Sequence, residues 1–330
     1  MNQENGNVLH VAFASDNNYI EFVAVAIASI LETNKWMNHT YIHLLSNNVE
    51  SSSIEKIKKL FCSESIELLT YDISDLRQRL HVEIPPTIAL TSYARLFIAD
   101  LLPVDINKVL YLDCDIVVNG SLKELFNYIF KEDEWIAGVL DTLPDTSSKI
   151  DIGIKPNSPY INAGVLLINL ETWRRNKVSE NCIHFLLKHN GNVHHHDQGI
   201  INAVCDEKKK IISPKYNMTS TYFSHPYSLL SKTNEPFYSE EEYDNSIKSP
   251  IILHFTEGFY NRPWISNSKH PYKSLYFKYR SLTEWKDSPL KQDTRKFYVK
   301  WLGWTFLHCP YCCYRILSNL ISFTAKVCQK

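Results

Sequence analysis

The sequence predicts an open α/β sheet with its functional groups gathered at the carboxyl ends of the strands, and three observations lead there. Apolar runs suited to buried strands alternate with helical-period segments through the first third of the chain. Two polar clusters, at Asp16 and at Asp113, each follow directly on such a run. They therefore fall on one rim of the sheet, where open α/β folds bind their ligands. At 330 residues the chain can also bury a full-sized core.

Residues 8–15 read as a buried first strand, and Ile20, Val23, Ala24, Ile27, Ala28 and Leu31 then recur at helical spacing. Asp16, Asn17 and Asn18 sit on the turn between them. A second strand at 40–45, a helix at 54–61 capped by the serine run 51–53, and a third strand at 66–71 complete a βαβαβ pattern. A helix over 93–101, ended by Pro103, precedes the strand 108–112 that delivers Asp113, Cys114 and Asp115. Strands follow at 135–140 and 164–169, with an amphipathic helix over 179–189 that turns Cys182, Phe185 and Leu186 inward. Residues 213–250, rich in Tyr, Ser, Pro and acids with weak periodicity, read as loops around a cleft, and 251–254 as one more short strand. From Tyr272 onward Lys, Arg and aromatics dominate, which divides the chain into a body of residues 1–268 and a C-terminal region of 269–330.

The formal net charge of −1 hides an asymmetry: residues 291–330 carry seven Lys or Arg against one acid. The body lacks a basic stripe, which excludes nucleic acid as a partner, whereas the tail seeks a negative surface. The polar start shows no basic segment followed by an apolar one, so no signal peptide is expected. Eight cysteines without a regular framework then read as reduced thiols, and the expected compartment is the cytoplasm.

Asp-X-Asp at the mouth of a strand can hold a hard divalent cation through carboxylate oxygens and leave its other positions to the phosphate oxygens of a nucleotide. Taken alone, the tripeptide is more often a solvated turn. Several strings strengthen it: Ala14-Ser15-Asp16-Asn17-Asn18-Tyr19, Ser92-Tyr93-Ala94-Arg95-Leu96, Leu110-Tyr111-Leu112-Asp113-Cys114-Asp115, Asn162-Ala163-Gly164-Val165-Leu166-Leu167-Ile168-Asn169, Asp197-Gln198, and His254 followed by Arg262-Pro263-Trp264. In identity and order they resemble glycosyltransferase family eight, the retaining enzymes that include lipooligosaccharide galactosyltransferases, lipopolysaccharide glucosyltransferases and glycogenin.

The resemblance implies a GT-A-type, Rossmann-like open mixed sheet and transfer of galactose or glucose from UDP-galactose or UDP-glucose to a glycan or glycolipid acceptor. It implies Mn²⁺, with Mg²⁺ as the alternative, on Asp113, Asp115 and His254; oxygen ligands with one imidazole suit Mn²⁺ better than Zn²⁺. Ala14, Asp16 and Asn18 would border the uridine, with Tyr19, Cys114 and Gly258 also at the donor. Arg95 would meet its phosphate or sugar hydroxyls, and Asn162 would face the sugar. Asp141 and Asp197 match acids that bind sugar hydroxyls, and Gln198 matches the residue beside the anomeric carbon. Because a glutamine is a poor covalent nucleophile, the pattern favours front-face substitution, while Asp197 and Asp141 keep double displacement open. Two departures stand out: Gly199 occupies the place of a third acid, and Arg262 replaces a lysine in a longer loop after the histidine.

The same residues admit other readings. Asp113-Cys114-Asp115-Ile116-Val117 also fits the first motif of haloacid-dehalogenase-type phosphatases, but that motif belongs on a first strand and needs a later acidic pair that the chain lacks. A UDP-sugar-binding protein without turnover is the second class. Cys309-Pro310-Tyr311-Cys312 spells a dithiol motif without the βαβ context it requires, and Cys313 adjoins it. His194, His195 and His196 read as a solvated loop. The tail, with Phe297, Trp301, Trp304, Phe306 and Leu307 among basic residues, is too interrupted to span a bilayer, which takes about 20 apolar residues. It is expected to lie in the interface of the inner face of the membrane.

Overall fold

The computed structural model describes residues 8–309, apart from 62, 84–88, 143–145 and 234–235. Strands β1 (Val8–Asp16), β2 (His39–Asn47), β3 (Ile66–Asp72) and β4 (Lys108–Leu112) run parallel in the order β3-β2-β1-β4. A short strand β5 (Ile116–Val118) leaves this sheet after the aspartates, and β6 (Ile136–Leu140), β7 (Ile161–Asn169) and β8 (Lys209–Ile211) extend it in the order β4-β7-β6-β8. β7 is antiparallel to both neighbours, so the seven-stranded sheet is mixed. β9 (Met218–Thr219) and β10 (Ile252–His254) join β5 in a second sheet of order β5-β10-β9.

The parallel half follows the sequence expectation because its strands are buried on both faces and its apolar runs are nearly continuous. Helix Ile20–Thr33 is buried along most of its length and packs between the main sheet and a third cluster containing Phe22, Val25, Trp264, Tyr276 and Tyr279. Helix Lys273–Arg280, assigned from sequence to the C-terminal region, thus packs its tyrosines into the body.

Other expectations change. The helix predicted over 93–101 is a 3₁₀ segment, Leu90–Phe97, followed by one turn of α-helix, Ile98–Leu101. Its tight winding buries Tyr93, Ala94, Arg95, Leu96 and Phe97 in succession, which a one-sided α-helix would not do. The serine run belongs to the first turn of helix Ser51–Lys58 rather than capping it. β7 begins three residues earlier than predicted and so includes Asn162. The stretch taken as loops holds helices Ser220–Ser224, Tyr227–Thr233 and Glu240–Lys248, which bury Tyr222, Leu230 and Tyr243 in the third cluster.

The corner before β4 is fixed by one side chain. Arg174, on helix Leu170–Arg175, donates to the carbonyls of Ala99, Leu102, Pro103, Val104 and Ile106. These carbonyls lie at the end of the preceding helix and in its loop, where the backbone offers few N–H partners; Pro103 O also accepts from Ile106 N–H.

Candidate active site

Backbone pairing brings the predicted metal residues together. Asp113 N–H donates to Gly164 O at 2.8 Å, continuing the β4–β7 ladder, and Phe255 N–H donates to Asp115 O at 2.8 Å beside the β5–β10 pair. Because His254 is paired with Ile116, its imidazole comes beside Asp115: Nε2 is 3.1 Å from Asp115 Oδ1 and 3.8 Å from Asp113 Oδ2. One ligand atom from each of the three residues lies within 4.8 Å of the others, and among the described residues they form a group that could hold a metal ion.

The fit to a cation extends beyond the three ligands. His254 Nδ1 is 3.0 Å from Asn217 Oδ1, an acceptor, so Nδ1 carries a proton and Nε2 is the nitrogen turned to the carboxylates, available to a cation once it gives up the proton it shares with Asp115. Gly164 is required on the opposite flank, where an added Cβ would stand 2.8 Å from both Asp113 Oδ2 and His254 Nδ1. Burial opposes ionisation of Asp115, but His254 and then Arg262 outweigh it and hold the carboxyl down to about 2. Burial likewise works against a charged His254, and the Asp115 carboxylate reverses that, raising its pKa. Arg262 Nη2 lies 3.4 Å from Asp115 Oδ2 and its guanidinium donates to Phe255 O; burial opposes its charge, but Asp115 and then Tyr19 outweigh it and raise its pKa.

Behind the aspartates, a cavity of about 470 Å³ is lined by Arg95, Asp113, Asp141, Asn162, Asp197 and Gln198, together with Ser92, His195 and His196. Its polar wall is one hydrogen-bond chain. Asn217 Nδ2 donates to Asn162 Oδ1 at 2.9 Å, which also accepts from Gly164 N. The amides of Asn162 and Gln198 both donate to Asp141 Oδ2, at 3.1 and 2.8 Å, and Gln198 Oε1 accepts from Ala163 N at 3.0 Å. Gln198 is thus held in one orientation at the end of β7.

Arg95 is buried, with its guanidinium 2.7 Å from Asp113 Oδ1 and 3.0 Å from Asp197 Oδ2, donating also to Ala163 O and stacked over Tyr111. Burial disfavours its charge, yet Asp113 first and then Tyr111 and Asp197 raise its pKa further. Burial pushes the Asp197 carboxyl up, partly offset by Arg95.

The remaining predicted donor residues do not line this cavity. Asp16 closes its turn by accepting from the backbone N–H groups of Asn18 and Tyr19. Ala14 is buried and accepts from Cys114 Sγ at 3.1 Å, with burial pushing that thiol up. Tyr19 and Arg262 line a second cavity of about 400 Å³. Gly258 lies in the loop after β10, its carbonyl bonded to Arg295. Gly199 fits where it stands because a Cβ there would overlap the carbonyl oxygen of His194. Asn217 was missed from the sequence; a lone asparagine in a weakly periodic stretch reads as a turn residue, and only the β9–β10 pairing reveals it.

The profile of glycosyl transferase family 8 matches residues 10–268. The chain belongs to this family. General stress protein A of Bacillus subtilis is 24% identical over 281 residues, covering 84% of this chain and 95% of the relative. Lipopolysaccharide 1,2-glucosyltransferase of Escherichia coli is 28% identical over 293 residues, 87% of this chain and 82% of that one. The galactosyltransferase LgtC, solved with donor and acceptor sugar analogues, superposes with a TM-score of 0.70 at 21% identity, covering 84% of this chain and 96% of LgtC. The family 8 chain therefore has the GT-A fold and is a glycosyltransferase by family.

Proposed function

We propose that this family 8 protein is a retaining hexosyltransferase that moves galactose or glucose from a UDP-sugar to a lipid-linked or cell-surface glycan, with Mn²⁺ preferred over Mg²⁺. The observation that carries this reading is the convergence of Asp113, Asp115 and His254 with Asp141, Asn162, Asp197 and Gln198 on one rim. The relatives named for lipopolysaccharide glucosylation and galactosyl transfer support the sugar and acceptor classes.

When bound, the ion neutralises charge on the departing diphosphate. Asp113, Asp115 and His254 would hold it, and Arg262, beside Asp115, offers donors suited to phosphate oxygens. Asp141 and Asn162 present oxygens and an amide to the sugar hydroxyls. Gln198, pinned by Asp141 and Ala163, offers an amide and no ionised nucleophile to the sugar. This favours attack by the acceptor hydroxyl on the face the diphosphate leaves, with a diphosphate oxygen taking the proton. Asp141 already accepts from two amides and Asp197 is paired with Arg95, which leaves neither poised for covalent attack.

No helix of the described residues is long and apolar enough to cross a membrane. Helix Phe297–His308 exposes Phe297, Tyr298, Trp301 and Trp304 beside Lys296 and Lys300, which supports peripheral attachment to an anionic inner membrane face. The dithiol motif that ends at Cys312, Cys313 beside it and the rest of the tail over 310–330 lie outside the described residues.

The test is incubation with a panel of UDP-sugars and Mn²⁺. Slow release of UDP from UDP-galactose or UDP-glucose, stopped by chelation, is expected. Tight binding without release from any donor, with or without glycan acceptors, would instead establish a binding protein without turnover.

A further inference from the structure

The chain returns to the donor rim after the body has closed. Lys291 pairs in a β-bridge with Ile265, its N–H donating to Trp264 O and its carbonyl accepting from Ser266 N–H. From there its ammonium crosses to the first strand-to-helix turn, donating to Asn18 O at 3.3 Å and pairing with Glu21 at 3.3 Å. It lies over the rings of Phe22 and Tyr19 at 4.5 and 5.7 Å. Two residues on, Asp293 and Arg295 form a largely buried ion pair at 2.9 Å, with Asp293 also accepting from Asn267 Nδ2. Arg295 Nη1 then donates to Gly258 O at 3.0 Å, in the loop that carries Arg262. One five-residue strap, 291–295, thus grips both loops that bound the cavity lined by Tyr19 and Arg262.

We infer that Lys291 and Arg295 are positioning residues of the donor site: segment 291–295 holds the 16–19 turn and the 258–262 loop in register, so that the C-terminal region sets nucleotide affinity as well as location. The inference rests on the donor-site reading above. Its physical basis is that residues 17–19 and 255–262 lie between regular elements, and each stretch is held from outside by a charged side chain of the strap, Lys291 at Asn18 and Arg295 at Gly258. The helix that follows is seated on the same loop: Phe306 packs against Phe259 and Tyr260 at 5.3 and 5.6 Å, and Gly303 faces Phe259 O. Displacement of that helix would therefore be felt at Gly258.

The test uses the full chain and UDP with Mn²⁺ as the probe, titrated calorimetrically against Lys291→Ala, Arg295→Ala, Lys291→Arg and, as a control at an exposed lysine outside the site, Lys35→Ala. Each alanine variant at the strap is expected to weaken UDP binding by about fivefold or more, the lower end of ordinary site-to-site coupling. Lys291→Arg should keep most of the affinity and Lys35→Ala should leave it unchanged. Hydrogen exchange of the ligand-free variants supplies the independent readout: amides of the 16–22 and 256–262 peptides should exchange faster in both strap variants. UDP affinity within twofold of the parent, or unchanged exchange in both peptides, overturns the inference. Failure of the parent itself to bind UDP while exchange still rises would locate the fault in the donor-site reading instead.

Discussion

Gly164 and His254 occupy one another's space: the imidazole packs against the bare Cα of Gly164, and no side chain fits between them. Gly164→Ala is therefore expected to displace His254 from Asp115, with an overpacking cost of about 1–3 kcal/mol in stability. The larger effect should be on metal affinity, measured as the Mn²⁺ dependence of UDP release beside a urea melt. Wild-type Mn²⁺ dependence in a folded Gly164→Ala protein would refute this placement of the histidine.

Removing a carboxylate from the pair should act on chemistry more than on folding. Asp115→Asn is expected to lower turnover by at least about a hundredfold, since a bound cation contributes several kcal/mol of charge stabilisation. Excess chelator should do the same to the wild type. Full activity in chelator would sink the metal assignment.

Gln198 is fixed by two hydrogen bonds and carries no charge. Gln198→Ala should lower kcat far more than donor affinity. The first-formed glycoside, examined by NMR, should be α-linked from an α-linked donor; a β-linked product would refute both retention and the front-face route.

A second network, remote from the rim, predicts acid sensitivity. His10 Nδ1 lies 3.0 Å from His43 Nε2, and His43 Nδ1 lies 2.9 Å from the Tyr71 hydroxyl. Burial lowers His10 to about 4 and His43 to about 3. Both folded values lie below the ordinary 6.5, so the unfolded chain binds more protons in between. Stability is then full above that ordinary value and is lost as pH falls toward the folded ones, at up to about 1 kcal/mol per pH unit for the more buried His43. Urea midpoints at pH 7.5 and 5.5 should fall less steeply in His43→Gln than in the wild type; parallel slopes would contradict the prediction.

How much of this was legible follows from what each segment must satisfy. β1 to β4 could be read because strands buried on both faces need unbroken apolar runs, and Asp113 and Asp115 because a cation needs hard oxygen ligands at a strand mouth. β8, Lys209–Ile211, escaped because it is a half-buried edge strand two-thirds lysine. The helices between 213 and 250 escaped because they are short and each buries one large apolar side chain, Tyr222, Leu230 or Tyr243, leaving little period to detect. Asn217, Lys291 and Arg295 act across more than 30 residues of sequence, on His254, Asn18 and Gly258 respectively, and such pairings exist only once strands are placed.

Arg174 gives the site a foundation at the opposite end of its strand. By gathering five carbonyls around one guanidinium it turns the corner before β4 into a fixed abutment. From there β4 projects to Asp113 like a beam clamped at its base. A lysine at position 174 carries three donors on one atom and cannot span that fan of carbonyls. Slack introduced at the corner would travel the length of the strand and emerge as misaligned carboxylates, far from the residue that caused it.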